Sequence, residues 1–150
     1  CCLAFIDLDN FKYYNDTFGH DVGDQLLIWF SELLTSVENR KIKVCRWGGD
    51  EFLILFSDVP RTEVMQIMQS LRLRLEAKNG FVVELTKLLN RPIMLPRKFY
   101  LDFSAGVCVA ENMEESIDPA VLLKKADDSL YLVKRTGKAQ IVSCGYLNDI

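Results

Sequence analysis

The sequence predicts one domain of the α/β or α+β class, in which helices cover a β-sheet. Two observations support this prediction. Short apolar runs typical of strands alternate along the chain with longer stretches whose apolar residues recur at helical spacing. The chain has 150 residues, of which 49% are hydrophobic and 26% charged, as expected for one globular domain with its own core. Periodicity alone leaves the sheet topology open.

The first half of the chain is predicted to form a strand, a helix and a hairpin. Residues 2–8 are an apolar run that ends at carboxylates, which predicts a short buried strand. Residues 24–38 carry apolar side chains on one helical face. Two further apolar runs, 42–47 and 51–56, are separated by a tight turn that contains glycine, and this pattern predicts a hairpin.

The second half is predicted to continue with helices and strands. Residues 61–78 have the pattern of an amphipathic helix, 100–110 that of a central strand and 139–143 that of a last strand. Asp118-Pro119 is a typical helix start, and the helix that it opens is predicted to end at Gly137.

The stretch 81–99 is the least regular part of the chain. It contains Pro92 and Pro96 and has no clear period. We interpret it as a surface excursion, and whether it holds a short strand or helix of its own stays open.

Charge and hydropathy argue against two classes of protein, nucleic-acid binders and membrane-spanning proteins. The net charge of −3 argues against a nucleic-acid binder, which usually presents a basic face. No run approaches the ~20 apolar residues needed to span a bilayer, and residues 1–6 lack the features of a signal peptide. We expect a cytoplasmic domain, although the full-length protein can be membrane-anchored.

The five cysteines are odd in number and include no C-x-x-C pair. Cys45, Cys108 and Cys144 lie in apolar runs, so we expect them to be reduced, buried core residues. His20 is the single histidine, which argues against a zinc site.

The first acidic cluster follows the first predicted strand. Asp7 and Asp9 are two residues apart and therefore point the same way from a strand. Neighbouring like charges are costly unless a cation or hydrogen bonds compensate them, and hard oxygen ligands suit Mg²⁺. Taken alone, the cluster is explained more simply by acidic loop residues that cap a helix.

The second cluster lies in the predicted hairpin turn. Gly48 and Gly49 allow a tight turn and the close approach of a ligand, and Asp50 and Glu51 follow at once. Taken alone, this cluster fits an ordinary glycine turn equally well.

Four ordered blocks together resemble the GGDEF family, the catalytic module of diguanylate cyclases. The blocks are FIDLDNFKYYNDTFGHDVGDQLL, RWGGDEF, FSAGVCVA and ADDSLYLVKRTGKAQIV. They cover nearly the whole chain except about 80–99. The resemblance implies an α+β, ferredoxin-like palm similar to nucleotidyl cyclases, with a central, mostly antiparallel sheet flanked by helices.

The resemblance implies that two GTP molecules are condensed into cyclic di-GMP plus pyrophosphate at a homodimer interface. Two Mg²⁺ (or Mn²⁺) ions per active site would be held by Asp7, the Leu8 carbonyl, Asp50 and Glu51. Asp50 and Glu51 would be catalytic, with Asp50 near the ribose 3′-hydroxyl. The metals would neutralise the triphosphate and lower the pKa of that hydroxyl. Two alternatives stay open: a silent GTP-binding module that regulates a neighbouring domain, and a different palm enzyme.

The resemblance further implies a set of substrate-binding residues. These are Asn10, Phe11, Lys12, Asn15, Asp24, Gly49, Lys134 and Lys138. Asn15 and Asp24 match the guanine-binding pair, and a carboxylate that accepts from guanine N1 and N2 would exclude adenine. The lysines match phosphate contacts, and the backbone amides of Asn10 and Phe11 could add to them at a helix start. Helix capping and solvated surface charge are the simpler readings of these residue types.

The chain also departs from the family pattern. Ser129 and Val133 replace the usual alanines, Ala139-Gln140 replaces Asn-Arg, and both changes suggest altered packing or surface. The family's helical lead-in is absent before Cys1, so we expect a fragment of a protein with fused sensor or regulatory domains. The R-x-x-D motif that binds inhibitory cyclic di-GMP in many members is replaced by residues 39–42, Asn-Arg-Lys-Ile.

Overall fold

The computed structural model describes residues 1–110, 118–137 and 140–143. Its elements are β1 (Cys2–Asp9), α1 (Phe11–Phe18), α2 (His20–Thr35), β2 (Ile42–Gly48), β3 (Glu51–Phe56), α3 (Arg61–Ala77), α4 (Val82–Leu89), a 3-10 turn (Arg97–Phe99), β4 (Asp102–Val109), α5 (Pro119–Thr136) and β5 (Ile141–Ser143). The strands form one sheet in the order β2-β3-β1-β4-β5, antiparallel except for the β4–β5 pair. The predicted α+β class with a mostly antiparallel sheet is confirmed.

The two faces of the sheet are covered by different helices. On the face that we call the core face, Ile6 and Phe52 pack in one apolar cluster with residues of α2 and α3. On the opposite face, which we call the site face, Leu3 and Phe5 pack against α5. Because side chains alternate along a strand, Asp7 lies on the site face with Leu3 and Phe5.

Helix α5 lies close to strand β4 because Gly106 has no side chain. A Cβ atom at Gly106 would lie 2.2 Å from the Ala126 carbonyl oxygen and 2.5 Å from the Leu130 nitrogen. Ser129 and Val133 are both buried on this helix, which agrees with a change in packing at these positions. The Asp118 side chain accepts a hydrogen bond from the Ala120 amide and so caps α5 as predicted.

The helical region after β1 differs from the prediction. The helix expected over 24–38 already begins at His20 and ends at Thr35, and a separate helix, Phe11–Phe18, precedes it. Gly19 has a φ of 95°, which L side chains rarely adopt, and it separates the two helices. Within the described ranges, no helix combines the length and hydropathy that a membrane span requires.

The prediction for the cysteines was wrong at one position. Cys108 is buried as expected, but Cys45 is exposed. The reason is that Cys45 lies on β2, which is an edge strand of the sheet, whereas α5 covers β1, β4 and β5. Cys144 lies outside the described residues.

The stretch predicted as a surface excursion also contributes to the core. It contains helix α4, and the side chains of Phe81 and Leu85 are fully buried in the main apolar cluster. Phe81 adopts the left-handed conformation with a φ of 65° and stacks on Trp29. The two prolines that suggested a loop, Pro92 and Pro96, are exposed.

Candidate functional site

Strand β1 delivers two buried carboxylates to the site face, as its period predicts. Lys134 of α5 forms an ion pair with Oδ2 of Asp7, whose other oxygen, Oδ1, is buried with no hydrogen-bond partner. Asp9 differs, because its Oδ2 accepts a hydrogen bond of 2.7 Å from the buried Ser104 hydroxyl. The Asp9–Ser104 bond links β1 to β4 and gives Asp9 a structural contact, whereas Asp7 keeps a free ligating oxygen.

The β2–β3 turn places further carboxylates beside Asp7. Glu51 lies directly opposite Asp7 in the antiparallel ladder, so both side chains leave the sheet on the site face. The Leu8 amide donates to the Asp50 carbonyl at 3.2 Å. Gly49 has a φ of 54°, and its carbonyl accepts two hydrogen bonds from Arg46, at 3.0 and 2.7 Å. The conformation of Gly49 and the hydrogen bonds from Arg46 therefore fix the backbone from which the Asp50 and Glu51 side chains project.

Both acids of the turn bind protons more readily than ordinary carboxyl groups. Burial raises the pKa of Asp50. Burial also raises the pKa of Glu51, and the negative charges of Asp50 and Asp127 raise it further. A divalent cation would relieve this repulsion, because it favours the charged form of each carboxylate.

One cavity brings most of the predicted site residues together. It has a volume of about 360 Å³ and lies where β1 meets α1. Its walls include the predicted residues Asp7, Leu8, Asn10, Phe11, Lys12, Asp50 and Lys134. Lys12 and Lys134 bring positive charge to a space that also holds carboxylates, which suits a bound phosphate chain together with a cation.

The predicted guanine residues lie outside this cavity. Asp24 is exposed and lines a second cavity of about 490 Å³ with Arg46. The Asn15 side chain lies against Gly23, where an added Cβ would be 1.7 Å from Asn15 Oδ1. Asn15 therefore lies against the residue that precedes Asp24, across the α1–α2 contact. Lys138 lies outside the described residues.

The donor set around Asp7 fits a cation that takes part of its ligands from a substrate. In the described part of the chain, no three carboxylate, histidine or cysteine side chains form a closed metal-binding group. The unpartnered Asp7 Oδ1 and the facing Glu51 nevertheless offer hard oxygen ligands. Mg²⁺ typically takes one or two carboxylates and completes its shell with water and substrate phosphates.

Sequence reasoning missed three contacts that shape this site. Ser104 was recognised only as part of a motif, and its bond to Asp9 has no local signal. Arg46 likewise belongs to RWGGDEF without an expected role. The Asn10 side chain donates to two carbonyl groups of residues 98 and 100, far away in sequence. Only a fold can show such long-range partners.

Comparisons with known proteins show which family the chain resembles over most of its length. The family model described as diguanylate cyclase, GGDEF domain, matches residues 1–140. Diguanylate cyclase DgcM of Escherichia coli (strain K12) is 32% identical over 142 residues, which are 94% of this chain and 30% of DgcM. Cyclic di-GMP phosphodiesterase PdeR of the same strain is 32% identical over 140 residues, 92% of this chain and 19% of PdeR.

A solved structure shares the fold as well. The coiled coil and GGDEF domain of DgcB from Caulobacter crescentus, in complex with c-di-GMP, superposes with a TM-score of 0.73 at 25% identity. The match covers 95% of this chain and 69% of the DgcB chain. The chain spans less than a third of the length of the curated relatives it matches: 30% of DgcM, 19% of PdeR and 28% of the response regulator PleD of Caulobacter vibrioides.

Proposed function

Because this chain belongs to the GGDEF domain family, we propose that it is a diguanylate cyclase that converts two GTP molecules into cyclic di-GMP and two pyrophosphates. The observation that carries the proposal is the pairing of Asp7 with Glu51 on the site face. Asp7 Oδ1 is buried and unpartnered there, beside a cavity that two lysines and the start of α1 also line.

Asp7, the Leu8 carbonyl, Asp50 and Glu51 are the residues that would hold the Mg²⁺ or Mn²⁺ ions, two per site. When bound, such ions would neutralise the triphosphate and lower the pKa of the ribose 3′-hydroxyl. Asp50 lines the same cavity as Asp7, and its carboxylate is the group that we propose accepts the hydroxyl proton.

The phosphates would be bound by positive groups on two helices. Lys12 and Lys134 line the cavity and are exposed enough to reach a ligand. The amides of Asn10 and Phe11 lie at the N-terminus of α1, where the helix dipole favours an anion. Lys138 and Gly49 complete the proposed phosphate-binding set. Lys134 would exchange its ion pair with Asp7 for a phosphate oxygen.

The bond changes require two copies of the domain. Each 3′-hydroxyl oxygen bonds to the α-phosphorus of the opposing GTP, the bond from that phosphorus to pyrophosphate breaks, and one proton is released per bond formed. Since one domain presents one nucleotide site, two domains must face each other. Asn15 and Asp24 would select guanine in each copy.

A silent, GTP-binding regulatory module is the second candidate. The observation that favours it is the match to PdeR, a relative named for a phosphodiesterase activity rather than a cyclase activity. In either case we expect the domain to act within a longer protein that carries sensor or regulatory domains.

Incubating the purified chain with GTP and Mg²⁺ and separating the nucleotides by chromatography tests both candidates. We expect cyclic di-GMP, no product with EDTA or with ATP, and a specific activity that rises with protein concentration. GTP binding without any product would favour the silent module. Absence of both binding and product, or constant specific activity in a verified monomer, would contradict the cyclase.

A further inference from the structure

Residues 97–101, here called the brace, connect the excursion to β4 beside the start of α1. The Asn10 side-chain amide donates one hydrogen bond to the Lys98 carbonyl at 2.9 Å and another to the Tyr100 carbonyl at 3.0 Å. The Asn10 side chain is only partly buried, so these bonds are not a by-product of core packing. They tie the residue that begins α1 to the brace.

The next turn of α1 donates a hydrogen bond to the Phe99 carbonyl, which lies between the carbonyl groups of Lys98 and Tyr100. The Tyr14 hydroxyl donates to the Phe99 carbonyl at 2.7 Å, and the Tyr14 side chain is fully buried. The Tyr13 ring stacks on the Phe99 ring with a centroid distance of 4.2 Å and an interplanar angle of 6°. Three successive carbonyl groups of the brace therefore accept hydrogen bonds from α1 and its cap.

Asn10 needs such support because its backbone is in a sparsely populated region. Its φ of 67° and ψ of 8° are left-handed, a region that asparagine adopts more readily than most residues with a Cβ but less readily than the right-handed region. This conformation sets the direction in which the amides of Asn10 and Phe11 point at the start of α1. The phosphate-binding geometry of the proposed site thus depends on how firmly Asn10 is held.

The C-terminal end of the brace is held by Leu101, and one side of the brace borders a cavity. Leu101 is buried and its amide donates to the Gly80 carbonyl at 3.4 Å. A cavity of about 600 Å³ lies between the brace and the C-terminal end of α3. Because side chains do not fill the space on the cavity side of the brace, its position depends largely on the hydrogen bonds to Asn10 and α1.

We propose that the brace is a positioning element for the phosphate-binding start of α1, with Tyr14 and Phe99 as positioning residues. This inference rests on the proposed function. It gives the excursion a role: nucleotide affinity depends on contacts made by a segment outside the four family-like blocks. Loosening the brace weakens GTP binding, whereas Asp7 and Glu51, which the β1–β3 ladder holds opposite each other, stay in place, and so does the chemical step.

Tyr14→Phe and Phe99→Leu test the brace, because each removes one contact with α1 and keeps an apolar side chain. Phe99→Leu also removes the contact of the Lys98 ammonium with the Phe99 ring, which lies within the brace. Loss of one hydrogen bond or ring stack corresponds to about a fivefold weaker equilibrium. We expect KM for GTP, and Kd of a non-hydrolysable GTP analogue by calorimetry, to rise about fivefold, with kcat within about twofold of wild type. Hydrogen exchange of the amides at 10–13 should accelerate by a similar factor.

Two control variants separate positioning from general stability. Met94→Ala changes a side chain of the same excursion that is 94% exposed, and should alter none of these quantities. Val64→Ala removes fully buried atoms at the start of α3 and should lower Tm without raising KM. Unchanged KM and exchange in both brace variants, or an equal rise of KM in Val64→Ala, would overturn the proposal.

The exchange measurement also keeps the two proposals apart. If the wild-type chain neither binds GTP nor makes product, the proposed function fails. Faster exchange at 10–13 in the brace variants would still support the positioning of α1, and unchanged exchange would refute it.

Discussion

One step along the β1–β3 ladder separates an apolar pair from an acidic pair. Ile6 faces Phe52 on the core face, where both are fully buried, and the next pair, Asp7 and Glu51, leaves the sheet on the site face. The core face is closed by side chains of α2 and α3, whereas in the described residues α5 is the helix that covers the site face. The same strand pair therefore supplies both the core and the carboxylates.

The difference between the two faces explains how the domain stays stable although Asp7 and Glu51 lie side by side in its sheet. The core face carries the large apolar residues whose burial stabilises the domain, at roughly 1.5–3 kcal/mol for each fully buried side chain. On the site face, Asp7 is buried but pairs with Lys134 of α5, and both side chains line the cavity of about 360 Å³. Substitutions on the site face should therefore alter chemistry, and those on the core face should alter stability.

Asp7→Asn should have the largest effect and tests the site-face half of the comparison. We expect turnover to fall about ten-thousandfold, roughly 5 kcal/mol on the activation barrier, because a charged ligand of the proposed cations is lost. The fold should remain, since Lys134 is 37% exposed and can hydrate once its partner is neutral. Measured turnover near that of wild type would remove Asp7 from the site. Asp58→Asn, an exposed acid paired with Lys41, is the control.

Phe30→Ala tests the core-face half. Phe30 is fully buried and its ring contacts the rings of Phe52 and Phe103, on two different strands. We expect the free energy of unfolding to fall by about 3–5 kcal/mol, with kcat per folded molecule unchanged. Urea titration gives the stability, and Ile28→Ala, at a half-exposed position on the same helix, should cost far less. A large drop in kcat of the folded protein would break the division between the faces.

Asp24→Asn sharpens the comparison, because Asp24 belongs to the helices on the core-face side and yet is expected to bind substrate. Replacing a double acceptor by an amide leaves one guanine hydrogen-bond donor mispaired, which costs roughly 1–3 kcal/mol. GTP affinity by calorimetry should weaken about tenfold or more. Asp21→Asn, on the first turn of the same helix, should leave the affinity unchanged. Equal affinities in both variants would count against guanine recognition at Asp24.

Much of the fold could be predicted because its signals are local. Helical spacing predicted α2, α3 and α5, and the period of two correctly placed Asp7 and Asp9 on one face. Glu51 was recognised through its motif, and the ladder explains the motif by setting Glu51 opposite Asp7. These predictions needed no knowledge of distant contacts.

The rest could not be predicted because it depends on tertiary partners. Nothing local distinguishes exposed Cys45 from buried Cys108, since the difference is which strand α5 covers. Helix α1 was missed because it has only eight residues, half of them polar, and follows a left-handed Asn10. The brace was missed because its partners on α1 lie more than 80 residues away, with separations of 85, 88 and 90.

Glu51→Gln should change the free energy of unfolding less than Phe30→Ala does, and should raise it at pH 7. The pKa of Glu51 is raised in the folded state, so the folded protein binds this proton more readily than the unfolded chain does. Wild-type stability therefore falls as pH rises from the ordinary glutamate pKa through the folded pKa. The Gln variant lacks this loss and should be more stable at pH 7 by roughly a few tenths of a kcal/mol, because solvent screens the charge of the partly exposed Glu51 side chain. The advantage should vanish in acid, and a variant that is less stable at pH 7 would contradict the assignment.

Product inhibition through residues 39–42 should be the smallest effect, because three of the four side chains in this segment make contacts within the protein. Asn39 Oδ1 accepts hydrogen bonds from the amides of Lys41 and Ile42, at 2.7 and 3.1 Å. Ile42 is buried in the main core and cannot contact a ligand. Lys41 pairs with Asp58, which leaves Arg40 as an exposed arginine one residue out of register with the arginine of the R-x-x-D motif. Titration of cyclic di-GMP into the chain should show no submicromolar binding here. Tight binding that Arg40→Ala abolishes would establish an inhibitory site built from different residues.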